Sequence, residues 1–232
     1  MATDTTDLIS RHVFEMRFKP NSKILDFRGE WTNFLSSEMN LPEWRIDINR
    51  IDLYDAKDLA FLSYKNCGFA CQLPPTKHYF EDRAVKFLRS VFRIEGATPS
   101  PVTRLGVRST FLESYSGDFH SLFEKYKQKV IAPTPQMTEI LGGQLIDLGA
   151  PLNCKDGDAY FNTMSGPVGT AQIKQFFPDI ESTPDVGIFF EIDYFQEKIG
   201  NAPEEQLAAL IKSFTQKSWE KVEKLTHLLL TN

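Results

Sequence analysis

Hydrophobic and polar positions recur along the first half of the chain with two different periods, and these periods predict its elements. Apolar residues at every second position are typical of a strand with one buried face, whereas spacing of three and four residues indicates an amphipathic helix. The pattern predicts, in order, a strand at 13–18, a helix at 24–39, extended stretches at 44–53 and 59–73, a helix at 79–92 and a strand at 102–112. This is the β-α-β-β-α-β order of the split βαβ, or ferredoxin-like, plan.

The stretch 44–53 contains a change of phase. Ile46 and Ile48 share one parity, while Ile51 and Leu53 share the other. Because the side-chain period of a strand is two, this change predicts a bulge or a sharp twist. In the next extended stretch Gly68 is a candidate for a bend.

The second half repeats the plan less clearly. The pattern predicts a helix at 118–130, weaker strands at 143–148 and 159–163, a strong strand at 185–194, and a long helix after Pro203. The Gly- and Pro-containing segment at 165–170 predicts a turn. We therefore expect an α+β protein with a polar tail (1–10) and two ferredoxin-like halves (11–115 and 116–232), each a mostly antiparallel sheet with helices packed on one face.

Composition narrows the class of protein. The 232 residues are 41% hydrophobic and 25% charged, which is typical of a globular chain, and the 19 phenylalanines are expected to form core. The net charge of −5 gives no overall attraction to nucleic acid or anionic lipid. The polar, acidic start and the lack of an apolar run of about 20 residues predict no signal peptide and no membrane segment. Three cysteines without a CxxC pair predict free thiols in the cytoplasm.

Catalytic and metal-binding patterns are weak. His120 and Glu124 lie four residues apart on a helix, but a metal site needs more ligands than this pair supplies. His78, Glu81 and Asp82 cluster where a helix begins, a position that favours carboxylates because of the helix dipole. We therefore expect no cofactor and no metal, and the sequence favours a protein that is not an enzyme.

The first candidate for a binding surface is a set of basic residues around the second long helix. The residues on the polar side of that helix and on one face of the following strand are Arg83, Lys86, Arg89, Arg93, Arg104 and Arg108. Such a set is a candidate binding surface for phosphate or nucleic acid. The alternative is an ordinary solvated helix face.

The second candidate site is a pair of acidic residues. On the strand at 185–194, Glu191 and Asp193 share one face, opposite the face of Ile188 and Ile192. Two carboxylates at this spacing could bind a divalent cation or perform acid–base chemistry. They could equally form cross-strand ion pairs with Arg104 and Arg108 if the two strands are neighbours, and the sequence favours this structural role.

Three segments together resemble a known family. They are 104–109 followed by a helix, Gly166-Pro-Val-Gly169 with Phe176-Phe-Pro178 downstream, and 186–194 before the long closing helix. In this order they resemble a sporadically distributed family of uncharacterised bacterial and archaeal proteins over nearly the whole chain. The resemblance implies a prokaryotic, cytoplasmic protein with an accessory role in a defence or toxin–antitoxin system, and it transfers no catalytic residue.

These observations leave three functional hypotheses. The first is a non-enzymatic, self-associating interaction protein, because oppositely charged regions could dock on a partner or on another copy. The alternative is nucleic-acid binding through the basic residues. The second alternative is a metal-dependent hydrolase or nuclease centred on Glu191 and Asp193.

Overall fold

Nine strands form one continuous sheet. The computed structural model describes residues 8–130, 139–140, 145 and 148–231. In this part of the chain the strands are β1 (Ile9–Phe18), β2 (Glu43–Ile46), β3 (Arg50–Tyr54), β4 (Asp58–Ser63), β5 (Asn66–Gln72), β6 (Val102–Ser114), β7 (Ala150–Asp156), β8 (Ala159–Gly169) and β9 (Val186–Gly200). Their spatial order is β2-β3-β4-β5-β1-β6-β9-β8-β7, and every neighbouring pair is antiparallel.

Among the described residues, the sheet has one covered face and one largely open face. The described helices are α1 (Lys23–Asp26), α2 (Arg28–Met39), α3 (Tyr79–Arg93), α4 (Phe119–Lys129), α5 (Thr170–Phe176) and α6 (Glu204–Leu230). Five of them contribute to the main core on one face, whereas α5 packs on the other face at one end of the sheet. We refer to this second face, beyond the small cluster under α5, as the open face.

The strict alternation of the strands decides which side chains reach the core. In β1, Phe14, Met16 and Phe18 are buried, while Glu15 and Arg17 lie on the open face. Fully buried phenylalanines from strands and helices alike fill the core, which confirms that this residue type supplies its mass. Burial of each such ring stabilises the fold by about 1.5–3 kcal/mol.

The prediction of an α+β protein with mostly antiparallel strands is confirmed, but two separate ferredoxin-like halves are not. Strand β6 pairs with β1 on one side and with β9 on the other, from Val102–Gly200 to Ser114–Gly187, so both halves share one sheet. The hydrophobic pattern gives the faces of a strand and not its partners, which is why the continuity could not be predicted. The position of α5 also departs from the expected single layer of helices.

Two predicted extended stretches are hairpins. Residues 44–53 contain β2 and β3 joined by a turn, so the change of phase marks a chain reversal and not a bulge. Residues 59–73 contain β4 and β5, which reverse at Tyr64 and Lys65. Gly68 lies inside β5 without a bend, and a Cβ there would come within 2.1 Å of the Phe14 carbonyl oxygen.

The prediction of a turn at 165–170 is wrong. These residues form the end of β8 and the start of α5, and Gly166 lets the chain pass Leu148, whose carbonyl oxygen would lie 2.9 Å from a Cβ. Four of the six residues of the predicted strand at 143–148 lie outside the described residues. The polar tail ends earlier than expected, because β1 begins at Ile9.

Candidate interaction surfaces

The sheet divides the six predicted basic residues between two surfaces. Arg83, Lys86, Arg89 and Arg93 belong to α3, on the covered side of the sheet. In β6 the core-facing residues are the odd-numbered ones, so Arg104 and Arg108 lie on the open face. The six residues therefore do not form one surface, and a ligand could not contact both groups at once.

The α3 group is mostly engaged within the chain. The Arg83 guanidinium lies 3.0 Å from Asp58 and donates to the Met39 carbonyl oxygen, with its side chain only 18% exposed. Arg89 pairs with Glu204 at 3.1 Å and Arg93 with Glu38 at 2.7 Å. Of the four, Lys86 is exposed, and its ammonium group has no ion-pair partner among the described residues. The helix therefore offers one unpaired cation and not a basic stripe.

The acidic residues of β9 meet the arginines of β6. Arg104 lies 3.3 Å from Asp193, and Arg108 lies 3.6 Å from Asp193 and 4.0 Å from Glu191. The predicted cross-strand ion pairs are therefore confirmed, because β6 and β9 are neighbours with Arg108 in register with Asp193. Opposite charges that are separate in sequence thus balance each other inside the molecule, which weakens the charge-based reason for docking on a partner.

Strand β1 brings further charged residues to the open face. Arg11, Glu15 and Arg17 join Arg104, Arg108 and Asp193 around a depression of about 200 Å³. The sequence held a signal for the β1 group, because all three occupy the odd positions of an alternating strand. The predicted basic set begins in α3 and therefore does not include them.

Hydrogen bonds fix the charge of Glu15. Burial opposes ionisation of this carboxyl group, but hydrogen bonds from Arg17 and Asn66 outweigh burial and lower its pKa. The same contact raises the pKa of Arg17. Both residues therefore stay charged throughout the neutral range.

The free edge of the sheet at β2 carries exposed apolar side chains. Trp44 is 53% exposed, Ile46 is 38% exposed and Ile48 in the following turn is 77% exposed. Phe27, at the junction of α1 and α2, is 48% exposed, and its neighbour Arg28 donates to the carbonyl oxygens of the β2–β3 turn. Large apolar groups concentrated at a sheet edge mark an association surface more often than a solvated one.

The described part of the chain contains no cluster of residues that forms a metal site. No group of three or more His, Cys, Asp or Glu residues there has the geometry to hold a metal ion. His78 lies 2.8 Å from Glu81, as expected of a helix start. None of the described helices combines the length and apolarity that a membrane span requires.

Comparison with known proteins adds no family to these observations. The sequence matches no protein-family model and none of the curated proteins with which it was compared. A function must therefore be inferred from two surfaces, the free edge at β2 and the charged depression of the open face.

Proposed function

We propose that the chain is a non-enzymatic interaction protein that self-associates through the edge of its sheet at β2. The observation that carries this proposal is the exposure of Trp44 and Ile46 on β2 and of Ile48 in the turn after it, where β2 has one neighbour among the described strands. Burial of apolar surface and completion of backbone hydrogen bonds both favour the addition of another strand at such an edge.

The sequence of β2 is complementary to itself in antiparallel pairing. A two-fold axis at Trp44 places Trp44 opposite its equivalent in the second copy, and Glu43 opposite the second copy's Arg45. Glu43 and Arg45 share the open face, since they pair with Tyr54 and Asp52 of β3. Arg45 already binds Asp52 at 2.9 Å but keeps 72% of its side chain exposed, so it can bridge a second carboxylate. Closed two-fold symmetry is the commonest form of homo-oligomer.

The opposite edge of the sheet differs in a way that supports this choice. Strand β7 contains Pro151, which has no backbone N–H to donate to an added strand. Strand β2 contains no proline within its bounds. Natural sheets protect an edge by this means when it must stay unpaired.

The test is the oligomeric state of the chain and of surface variants. Sedimentation equilibrium should show a dimer that dissociates on dilution, and Ile48→Lys combined with Trp44→Ser should give a monomer. Leu228→Lys, on α6, is the matched control because Leu228 is 58% exposed outside this edge, and it should leave the dimer intact. A wild-type chain that is monomeric at every concentration would overturn the proposal.

A charge exchange tests the register. Glu43→Arg alone puts two arginines opposite each other at the two-fold, and Arg45→Glu alone puts two glutamates there, so each homodimer should be weakened. A mixture of the two variants restores both opposite-charge pairs and should form a heterodimer. Equal association of the wild-type chain, of each variant alone and of the mixture would contradict pairing centred on Trp44.

We also propose that the first half keeps the split βαβ plan with an inserted hairpin. The order β6-β1-β5-β4 is the order expected of that plan, with α1 and α2 in one crossover and α3 in the other. In this interpretation β2 and β3 form the inserted hairpin, which extends the sheet and supplies the edge for association.

A further inference from the structure

Four arginines converge on the open face although two of them stand directly opposite each other. The register of β1 and β6 pairs Arg17 with Arg104 and Val13 with Arg108. Like charges in opposite positions of neighbouring strands destabilise a sheet unless other groups balance them. Here Glu15 holds Arg17 at 2.9 Å and Asp193 holds Arg104 at 3.3 Å.

The floor of the depression is built to leave space beneath these guanidinium groups. Gly106 lies in register with Glu15 on one side and Phe195 on the other. A Cβ at Gly106 would lie 3.2 Å from both Arg104 Nη1 and Phe195 Cβ. The absence of a side chain therefore leaves room for Arg104, whose guanidinium carbon lies 4.6 Å from the centre of the Phe195 ring.

Cations exceed carboxylates around the depression. Its lining contains four arginines, Arg11, Arg17, Arg104 and Arg108, but only two acidic residues, Glu15 and Asp193. Arg11 donates to the Phe176 carbonyl oxygen at 3.1 Å and has no carboxylate partner in the described part of the chain. Within the same described residues, the ion-pair contacts of Arg108 are long, at 3.6 Å to Asp193 and 4.0 Å to Glu191. Both guanidinium groups therefore keep donors for an added anion, since each guanidinium has five N–H groups.

We propose that this depression binds the phosphate group of a small ligand. Arginine is suited to phosphate because its planar guanidinium can donate two parallel hydrogen bonds to the oxygens. The volume of about 200 Å³ accommodates one such group. A second depression, of about 430 Å³, shares Glu15 and Arg17 as a wall and adds Lys65, so the remainder of a phosphate monoester has space beside the first.

The arrangement favours a small ligand over a nucleic acid. The arginines converge on one depression, whereas a polymer needs cations spaced along a track of phosphates. The open face also presents Glu15, Asp193 and Glu191 between and beside the arginines, and these carboxylates would repel neighbouring phosphates of a strand. A single phosphate between Arg11 and Arg108 needs only these two cations and no continuous track.

Calorimetric titration at constant ionic strength tests the site with three probes: inorganic phosphate, ribose 5-phosphate and a short single-stranded oligonucleotide. We expect both small anions to bind. Tighter binding of ribose 5-phosphate would indicate a phosphate monoester as the natural ligand, whereas tighter binding of inorganic phosphate would indicate the free anion. Arg11→Gln and Arg108→Gln should each weaken binding by about tenfold or more, because each removes a charge-assisted hydrogen bond. Arg93→Gln, which removes an exposed arginine from the other side of the sheet, should leave binding unchanged.

Three outcomes would overturn the site. The first is no binding of either small anion by the wild-type chain. The second is an equal loss in Arg93→Gln, which would indicate a general charge effect. The third is binding of the oligonucleotide alone, with a steep dependence on salt, which would indicate a nucleic-acid surface instead. Thermal unfolding of each variant confirms that it is folded before titration. Neither Arg11 nor Arg108 has a close ion pair with a described residue, so their substitution should leave the fold intact.

Discussion

Protonation of His12 should destabilise the fold as the pH falls below neutrality. His12 is 1% exposed in the main core, with its ring 5.0 Å from that of Phe80. Its two nitrogens lie 2.9 Å from Ser109 Oγ and 3.2 Å from Ser10 Oγ. A neutral imidazole satisfies both hydroxyls by donating to one and accepting from the other. An imidazolium would be a buried charge without a carboxylate partner among the described residues.

The magnitude follows from the difference in pKa between the folded and the unfolded chain. Burial lowers the pKa of His12 from 6.5 to about 3. Between these values the unfolded state binds a proton that the folded state excludes, so stability is complete above pH 6.5 and is lost as the pH falls. At pH 5 this linkage costs about 2 kcal/mol, and at pH 4 about 3 kcal/mol.

Urea unfolding at pH 7 and pH 5 measures the effect, with His12→Gln as the reference. Glutamine keeps a polar side chain for the two serines but does not titrate, and the carboxylates common to both proteins cancel when their pH dependences are subtracted. We expect the wild-type chain to lose about 2 kcal/mol more than the variant between the two pH values. Identical losses, or an NMR titration of His12 with a midpoint near 6, would refute a neutral, buried imidazole.

Two further outcomes are expected of buried groups. Arg83→Met should lower the free energy of unfolding, measured in urea, by about 3–5 kcal/mol, because the fully buried Asp58 side chain would lose its ion partner. Adding Asp58→Asn to this variant should recover part of the loss. A loss under about 1 kcal/mol for Arg83→Met would contradict this role of the pair. A thiol reagent should modify the partly exposed Cys154 first in the folded chain, since burial raises the pKa of Cys67 and Cys71; equal rates at all three thiols would contradict the buried placement.

The elements with strong local patterns were predictable from sequence. Helix α3 was predicted at 79–92 and spans Tyr79–Arg93, because its apolar face and its acidic first turn are both local signals. The faces that carry the ion pairs of β6 and β9 were also predictable, since alternation places Arg104 with Arg108, and Glu191 with Asp193, on single faces. That the two strands are neighbours came from the structure. What the pattern supplied was the face of each side chain.

Features that depend on distant pairing were not predictable. Arg83 has the helical position of a solvated residue, and it turns inward because Asp58, on β4, is buried beside α3. The depression of the open face requires β1 and β6 to be neighbours, although they are separated by most of the first half of the chain. The turn between β2 and β3 did leave a signal, because Asp47 and Asn49 are turn-forming residues at the change of phase.

The central position of β6 has a consequence for synthesis of the chain. Once residue 114 has left the ribosome, β6 can pair with β1, but its other side awaits β9, which begins at Val186. During that interval a strand of 13 residues presents an unpaired edge, and its apolar face lacks the cover of α6. Nascent intermediates of this kind are prone to aggregate. Translation rate and chaperone supply should therefore govern the yield of folded protein, and a pause between residues 114 and 186 should lower it.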